Sequence, residues 1–247
     1  MPQQHSRITH HSEPAEGYIR KLIAQGEHQQ LDFKFGITDS RKIARTLSAF
    51  ANTDGGCLLI GVKDNGAIAG VRSEEEFYMV QAASEMFTRP PVHFEVKEWS
   101  VDGRNVLEIQ VPKSREELYL APDKHNQYLA YIRVKDENFP VNSVWIKAYR
   151  WKKNSSGVFI SYTKNEMLLL KQLEESNSIT LSHYCKLTGL PRRTAENILA
   201  GFVAIDMIGI NFSESGASYC LTNSYMLMTP DQREAKLLQV SSSTRKS

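Results

Sequence analysis

The sequence lacks the features of secreted and membrane proteins. Its three cysteines, Cys57, Cys185 and Cys220, form neither a CxxC pair nor the even set that would suggest a disulfide framework. The N-terminal residues show no charged-then-apolar signal pattern. The longest nearly unbroken apolar stretch, residues 198–210, is interrupted by Asp206 and is shorter than the roughly 20 residues that span a bilayer. We therefore expect a cytoplasmic protein that does not cross a membrane.

The sequence also lacks a large excess of charge of either sign. It has 30 Lys and Arg residues against 28 Asp and Glu residues, for a net charge of +2. Bulk charge therefore does not indicate a nucleic-acid partner, and such an assignment depends on local patches. Hydrophobic residues at 41% and charged residues at 23% are near the values of globular proteins, which argues against a disordered or fibrous chain. A length of 247 residues suits two modest domains.

The first domain is predicted to mix helices and strands. We assign residues 1–13 to a flexible arm and residues 14–151 to this domain. Apolar positions at helical spacing predict three helices, and alternating or buried apolar runs predict the strands between and after them. Turn sequences predict two hairpins, over residues 57–71 and 93–112.

The second domain is predicted to be mainly helical. The polar and basic sequence KKNSSG at 152–157 has the composition of a linker. Residues 158–223 then show the order helix, strand, helix, turn, helix and hairpin, which is typical of a winged helix. Residues 224–247 are predicted to be a C-terminal tail. The predicted fold class is therefore α+β, with a mixed α/β domain followed by a winged-helix domain.

One long motif in the first domain resembles a known family. The sequence GEHQQLDFK at 26–34 is followed by RTLSAFANTDGGCLLIGVKDNGAIAGV at 45–71, and later by VP and YIR. This pattern is similar to the Schlafen AlbA_2 domain over roughly residues 14–150. The resemblance implies an AlbA-like nucleic-acid-binding fold, which in eukaryotic Schlafen proteins also carries a three-carboxylate ribonuclease site. Carried over to this sequence, those carboxylates are Glu27, Asp32 and Asp64.

Three converging carboxylates are suited to metal-dependent phosphate chemistry. Oxygen ligands bind Mg²⁺ or Mn²⁺, and the metal can activate water and stabilise charge on a phosphate. Lys34 lies two residues after Asp32 on the predicted strand and so shares its face. Asp32 stands where the family commonly has Glu, so this carboxylate reaches one methylene less far. The alternative is structural: Glu27 is a loop acid, Asp32 pairs with Lys34 or an arginine, and Asp64 makes a turn.

The glycine-containing turn FANTDGG at 50–56 has two interpretations. Its residues Asn52, Gly55 and Gly56 suit a helix end followed by a tight turn. They also suit a turn whose backbone N–H groups hold a phosphate. ATP binding is not expected, because no GK[ST] phosphate loop is present.

Basic residues elsewhere suggest contacts with nucleic acid. Arg133 matches the YIR of the family. The segment WIKAYRWKK at 145–153 interleaves aromatic residues with basic ones, including Lys152 and Lys153, although an amphipathic element with solvated lysines would look the same. In the second domain, the first turns of the third predicted helix carry residue types that contact bases and phosphates in recognition helices, namely Arg192, Arg193, Thr194 and Asn197.

Three functions remain open at this point. The leading hypothesis is a nucleic-acid-binding protein, specifically a transcriptional regulator that joins an AlbA_2-like domain to a DNA-binding winged helix. The second is a ribonuclease that uses Glu27, Asp32 and Asp64 with Mg²⁺ or Mn²⁺. The third is a domain that senses a ligand or nucleotide and acts through a winged helix. DNA or RNA is the expected partner, and assembly into a homo-oligomer is left open.

Overall fold

The computed structural model describes residues 9–11, 15–71, 74–153, 163–229 and 231–233. It shows two compact units, Met1–Pro140 and Val141–Ser247. Both contain helices and strands, so the predicted α+β class is confirmed. None of the helices within the described residues combines the length and the hydropathy needed to cross a bilayer.

The N-terminal unit is built on a five-stranded sheet. Its strands lie in the order β1-β4-β5-β3-β2, and all neighbouring pairs are antiparallel except β1 with β4 and β2 with β3. The strands are β1 (Thr9–His11), β2 (Leu31–Lys34), β3 (Gly56–Ile60), β4 (Glu95–Val101) and β5 (Arg104–Val111). The helices of this unit are α1 (Ala15–Ile23), α2 (Ser40–Asn52) and α3 (Glu75–Phe87).

Both faces of this sheet are covered, because successive side chains of a strand point to opposite faces. Leu58 and Ile60 of β3 belong to the core formed with α2 and α3. Cys57 and Leu59 of the same strand belong to a second core that contains Ile19 of α1. The sheet is therefore buried on both sides, and β2 lies at one of its edges.

Helix α2 connects the five-stranded sheet to a smaller one. The side chain of Asp39 caps the helix by accepting from the Arg41 N–H at 2.9 Å. Leu47 and Phe50 of α2 share one core with Tyr131 of the second sheet. That sheet has the order β6-β7-β8, with strands β6 (Leu120–Pro122), β7 (Tyr128–Val134) and β8 (Glu137–Pro140).

One expectation for this unit is wrong. The segment 57–71 is not a hairpin: only Val62 and Ile68 form an isolated bridge, because β3 already pairs with β2 and β5 along its two edges. Within the expected arm 1–13, the described residues Thr9–His11 form strand β1, which pairs in parallel with β4. The second predicted hairpin is confirmed, since β4 and β5 pair across a turn at Asp102 and Gly103, both with positive φ.

The C-terminal unit contains five helices and one small sheet among its described residues. The helices are α4 (Ser143–Lys153), α5 (Lys164–Ser176), α6 (Leu181–Thr188), α7 (Arg192–Ala204) and α8 (Asn223–Met226). The strands are β9 (Ile179–Thr180), β10 (Ile208–Ser213) and β11 (Gly216–Leu221), in the order β10-β11-β9. Thr163 and Glu166 form a capping box at the start of α5, and Gly189 ends α6 with a φ of 70°.

The division between the units lies before α4, whereas the sequence placed it after this segment. Val144 and Ala148 of α4 are buried in the same core as Leu199 and Phe202 of α7. The segment 145–153 is therefore part of the C-terminal unit. Lys152 and Lys153, which were predicted to begin the linker, are the last two residues of α4. The rest of the predicted linker, 154–157, and most of the tail, 234–247, lie outside the described residues.

Candidate functional site

Asp32 is a buried acid on the edge strand β2. Only 3% of its surface is exposed. Its Oδ1 lies 3.2 Å from Nη2 of Arg133, and its Oδ2 lies 3.0 Å from Nζ of Lys34. Lys34 thus shares the face of Asp32, as the two-residue spacing predicted. The structural interpretation, in which Asp32 pairs with Lys34 or an arginine, agrees with this geometry.

Arg133 of β7 lies inside the protein, with only 2% of its surface exposed. Besides Asp32, its guanidinium donates to the carbonyls of His28 and Leu31 and to Oδ1 of Asn138, at 3.2–3.4 Å. It also lies 5.1 Å above the centroid of the Phe50 ring. The expected contact between Arg133 and nucleic acid is therefore not available in this structure, because every guanidinium nitrogen bonds to the protein.

Glu27 completes a carboxylate pair with Asp32. Its Oε1 accepts the Phe33 N–H at 2.9 Å, which satisfies a backbone group on the open edge of β2. Burial raises the pKa of Glu27, and a hydrogen bond to Asp32 raises it further, whereas the Phe33 N–H and Lys34 lower it to a smaller extent. Two of the three carboxylates named by the resemblance thus meet at one point.

Asp64 is exposed in the turn at 63–66. This turn is closed by a bond from the Gly66 N–H to the Lys63 carbonyl at 2.7 Å. Within the described part of the chain, no group of three or more His, Cys, Asp and Glu side chains is placed to hold a metal ion. Because both oxygens of Asp32 also have cationic partners, the described arrangement does not fit a three-carboxylate metal site.

Asn52 holds together two parts of the N-terminal unit. Its Nδ2 donates to the carbonyls of Tyr119 and Tyr131 at 2.8 and 2.9 Å, and its Oδ1 accepts the Tyr119 N–H at 2.9 Å. The neighbouring Thr53 accepts the Arg133 N–H at 2.9 Å, a role that the sequence did not suggest. These bonds join the end of α2 to the smaller sheet. Asn52 is therefore a structural residue, and its predicted phosphate contact is not supported.

Gly55 and Gly56 are required for close packing. Gly55 has a φ of 72°, and a Cβ there would lie 2.8 Å from the Val111 carbonyl oxygen. A Cβ on Gly56 would lie 2.4 Å from the Phe50 ring. The Gly55 N–H donates to the Phe50 carbonyl at 2.8 Å. The turn therefore serves strand and helix packing, and this N–H is not offered to a phosphate.

Helix α7 carries the second group of predicted residues. Four of them are exposed: Arg192, Arg193, Thr194 and Asn197. Residues on the opposite side of the helix, Ala195, Leu199 and Phe202, are fully buried. The amphipathic pattern thus fixes which side of α7 faces solvent.

A polar contact fixes α7 against α4. Nζ of Lys147 lies 3.0 Å from Oε2 of Glu196 and 2.8 Å from Oδ1 of Asn197. Arg192 pairs with Oε1 of the same glutamate at 3.2 Å. Burial alone would raise the pKa of Glu196, but hydrogen bonds from Lys147 and Ser143 and the charges of Lys147 and Arg192 lower it overall. Glu196 therefore orients Arg192 on the exposed side of α7.

The end of α4 presents a further basic and aromatic surface. Lys152 and Lys153 are exposed. The rings of Trp145 and Tyr149 are stacked, with centroids 5.1 Å apart, and Nζ of Lys153 lies 5.0 Å from the Tyr149 centroid. The alternation of aromatic and basic residues in the sequence thus places two stacked rings and two exposed lysines on α4.

Comparison with known proteins supports the resemblance of the N-terminal unit. Residues 27–142 match the family model described as Schlafen, AlbA_2. The match supports an AlbA_2 domain in this unit. Among curated proteins, none matches the chain.

Two solved structures resemble the chain at low identity. The DIP2311 protein from Corynebacterium diphtheriae is 17% identical with a TM-score of 0.42, and the match covers 87% of this chain. The chain spans 40% of the length of that protein. The N-terminal domain of a RecG-related ATP-dependent DNA helicase protein from Nitrosomonas europaea is 18% identical with a TM-score of 0.33, covering 53% of this chain and 87% of that domain. At these TM-scores, neither likeness defines the fold of this chain.

Proposed function

We propose that this protein binds nucleic acid and acts as a transcriptional regulator, in which the AlbA_2-like domain is joined to a winged helix that binds duplex DNA. The order α5, β9, α6, α7, β10 and β11 in the C-terminal unit agrees with this proposal. In a winged helix, the third helix of this order enters the major groove, and here that helix is α7.

The observation that carries the proposal is the exposed side of α7. Arg192 and Arg193 supply two guanidinium groups near the start of the helix, and Thr194 and Asn197 supply hydrogen-bonding groups. Arginine binds phosphates and guanine edges through a planar fork of donors. Because Glu196 and Lys147 orient this surface, part of the ordering cost of binding is met before DNA arrives.

Replacing Arg192 and Arg193 together with alanine should weaken duplex DNA binding by about ten-fold or more. Each lost phosphate contact should also reduce the slope of log K against log salt by about one unit. The measurement is fluorescence anisotropy with a labelled duplex at several salt concentrations. The variant K164A/K171A is the control, because it removes two lysines from α5 of the same unit. Unchanged affinity and slope in R192A/R193A would assign α7 to protein contacts instead.

A metal-dependent ribonuclease is the second candidate, and the pairing of Glu27 with Asp32 is the observation that favours it. Metal binding would require Lys34 to release Asp32 and Asp64 to approach the pair. The ribonuclease proposal therefore requires that the side chains of Lys34 and Asp64 move from the positions described above.

Glu27→Gln should stabilise the metal-free protein. The pKa of Glu27 is higher in the folded protein than in the unfolded chain, so Glu27 ionises first in the unfolded chain as the pH rises. The folded protein therefore loses stability between the unfolded-state pKa and the folded-state pKa. Glutamine can accept the Phe33 N–H and donate to Asp32 without this cost. The melting temperature of E27Q should therefore exceed that of wild type. The difference should grow as the pH rises above 4.5, which is the ordinary pKa of a glutamate side chain.

The same melting experiment in the presence of Mn²⁺ tests the ribonuclease candidate directly. If the ribonuclease candidate is correct, Mn²⁺ raises the melting temperature of wild type but not of E27Q, because a ligand bound only by the native state stabilises it. Labelled RNA is then cut by wild type alone. Melting curves that do not respond to Mn²⁺, together with intact RNA, would remove this candidate.

A further inference from the structure

An exposed aromatic side chain lies directly after the strand that carries Asp32. Phe35 keeps 47% of its surface exposed. A single exposed apolar residue is ordinary. This one, however, has Nζ of Lys63 at 5.6 Å from its ring centroid, and it follows Lys34, whose side chain is 37% exposed. An exposed ring and the ammonium group of Lys63 thus share one small surface.

The backbone holds this surface in place. The Lys34 carbonyl accepts the N–H groups of both Gly61 and Val62, at 2.8 and 3.3 Å, so the end of β2 is bonded to the segment that leads to Lys63. The Lys63 N–H donates to the Ala67 carbonyl at 3.0 Å, which fixes the turn at the residue that carries the ammonium. The ring of Phe35 and the ammonium of Lys63 therefore lie on two segments whose separation is set by main-chain hydrogen bonds.

We propose that Phe35 and Lys63 form a stacking site for an unpaired base of single-stranded nucleic acid. The base replaces the ammonium of Lys63 over the ring, and Lys63 moves to a flanking phosphate. Aromatic rings stack on bases of any sequence, whereas the bases of a duplex are already stacked on one another. The site therefore selects unpaired strands and does not select their sequence.

The charges around the ring make stacking the main source of affinity. Lys34 and Arg133 balance the charge of Asp32, and Asp64 lies next to Lys63 in the turn. With this near balance, attraction of phosphates is modest, and the dependence of binding on salt should be shallow. This site belongs to the N-terminal unit and is separate from the duplex surface proposed for α7.

The test uses the full chain and labelled oligothymidine and oligouridine of about 12 nucleotides, followed by fluorescence anisotropy. Phe35→Ala should weaken binding to both probes by about ten-fold, which is in the range measured for loss of one stacked base. Phe35→Tyr should keep the wild-type affinity. Phe35→Leu should behave like the alanine variant, because leucine keeps apolar bulk but has no π-face. Lys63→Gln should reduce the salt slope by about 0.7.

Two controls make the result specific. Tyr78→Ala removes another exposed aromatic side chain, 58% exposed on α3, and should leave binding unchanged. The variant R192A/R193A should keep its affinity for single strands even where duplex binding is lost, so failure of the duplex proposal is distinguishable from failure of this one. The stacking site is overturned if wild type binds neither probe, if F35A binds like wild type, if F35L binds like F35Y, or if Y78A loses as much affinity as F35A.

Discussion

Replacing Arg133 with methionine is expected to reduce the free energy of unfolding of the N-terminal unit by about 3–5 kcal/mol, the range for breaking a buried ion pair from one side. Methionine keeps much of the apolar contact with Phe50 but leaves the carboxylate of Asp32 buried next to Glu27 with only Lys34 to balance it. Three protein acceptors besides Asp32 also lose a hydrogen bond, namely the carbonyls of His28 and Leu31, which keep their backbone partners, and Oδ1 of Asn138. Urea unfolding of the full chain, with hydrogen exchange followed in β2 and β7, measures this loss locally.

Arg20→Met is the matched control for this prediction. Arg20 also pairs with an aspartate, Asp102, but their side chains are 52% and 59% exposed, so water already screens the pair. An exposed pair contributes roughly 0–1 kcal/mol, and the control should lose no more than that. The double variant D32N/R133M should recover part of the stability, because it removes the buried charge together with its partner. Equal losses in R133M and R20M would mean that Arg133 acts by packing alone.

Local signals in the sequence were sufficient to predict most elements of the C-terminal unit. Helix α6, for example, begins after a cap at Thr180 and ends at Gly189, which has a positive φ, and both residues are boundary signals that can be seen in the sequence. The hairpin of β4 and β5 was likewise predictable from its Asp102-Gly103 turn. These features depend on residues that are close together in the sequence.

Features that depend on tertiary partners could not be predicted in the same way. The sequence 57–71 contains a good turn signal at 64–66, yet β3 pairs with β2 and β5, because pairing inside the sheet buries both of its faces. The segment 145–153 was assigned to the wrong unit, since its amphipathic pattern does not say which core its apolar side packs against.

The candidate site shows the same limit at the level of single residues. The spacing of Asp32 and Lys34 predicted a shared face, and the ion pair at 3.0 Å agrees with it. The burial of Arg133 was not predictable, because it depends on a partner about a hundred residues away in the chain. A family motif identifies residues that matter, but it does not separate those that contact a ligand from those that hold the fold, and Asn52 is an example of the second kind.

Gly55→Ala is expected to destabilise the N-terminal unit by about 3 kcal/mol or more, which combines the cost of a left-handed conformation with that of overpacking. The added Cβ would lie 2.8 Å from the Val111 carbonyl oxygen and 2.9 Å from the Lys113 nitrogen, and both are backbone atoms that cannot turn away as a flexible side chain would. Gly26→Ala separates the two causes, because Gly26 has a φ of 70° but no atom within 4 Å of its added Cβ. The control should therefore lose only about 1–2 kcal/mol in urea unfolding.

A similar loss in both variants would mean that the turn requires only positive φ and has room for a ligand, which would reopen the phosphate-binding interpretation of this segment. A larger loss in G55A, with faster hydrogen exchange in β3 and β5, would show that position 55 must be glycine because a Cβ does not fit against the backbone at 111–113.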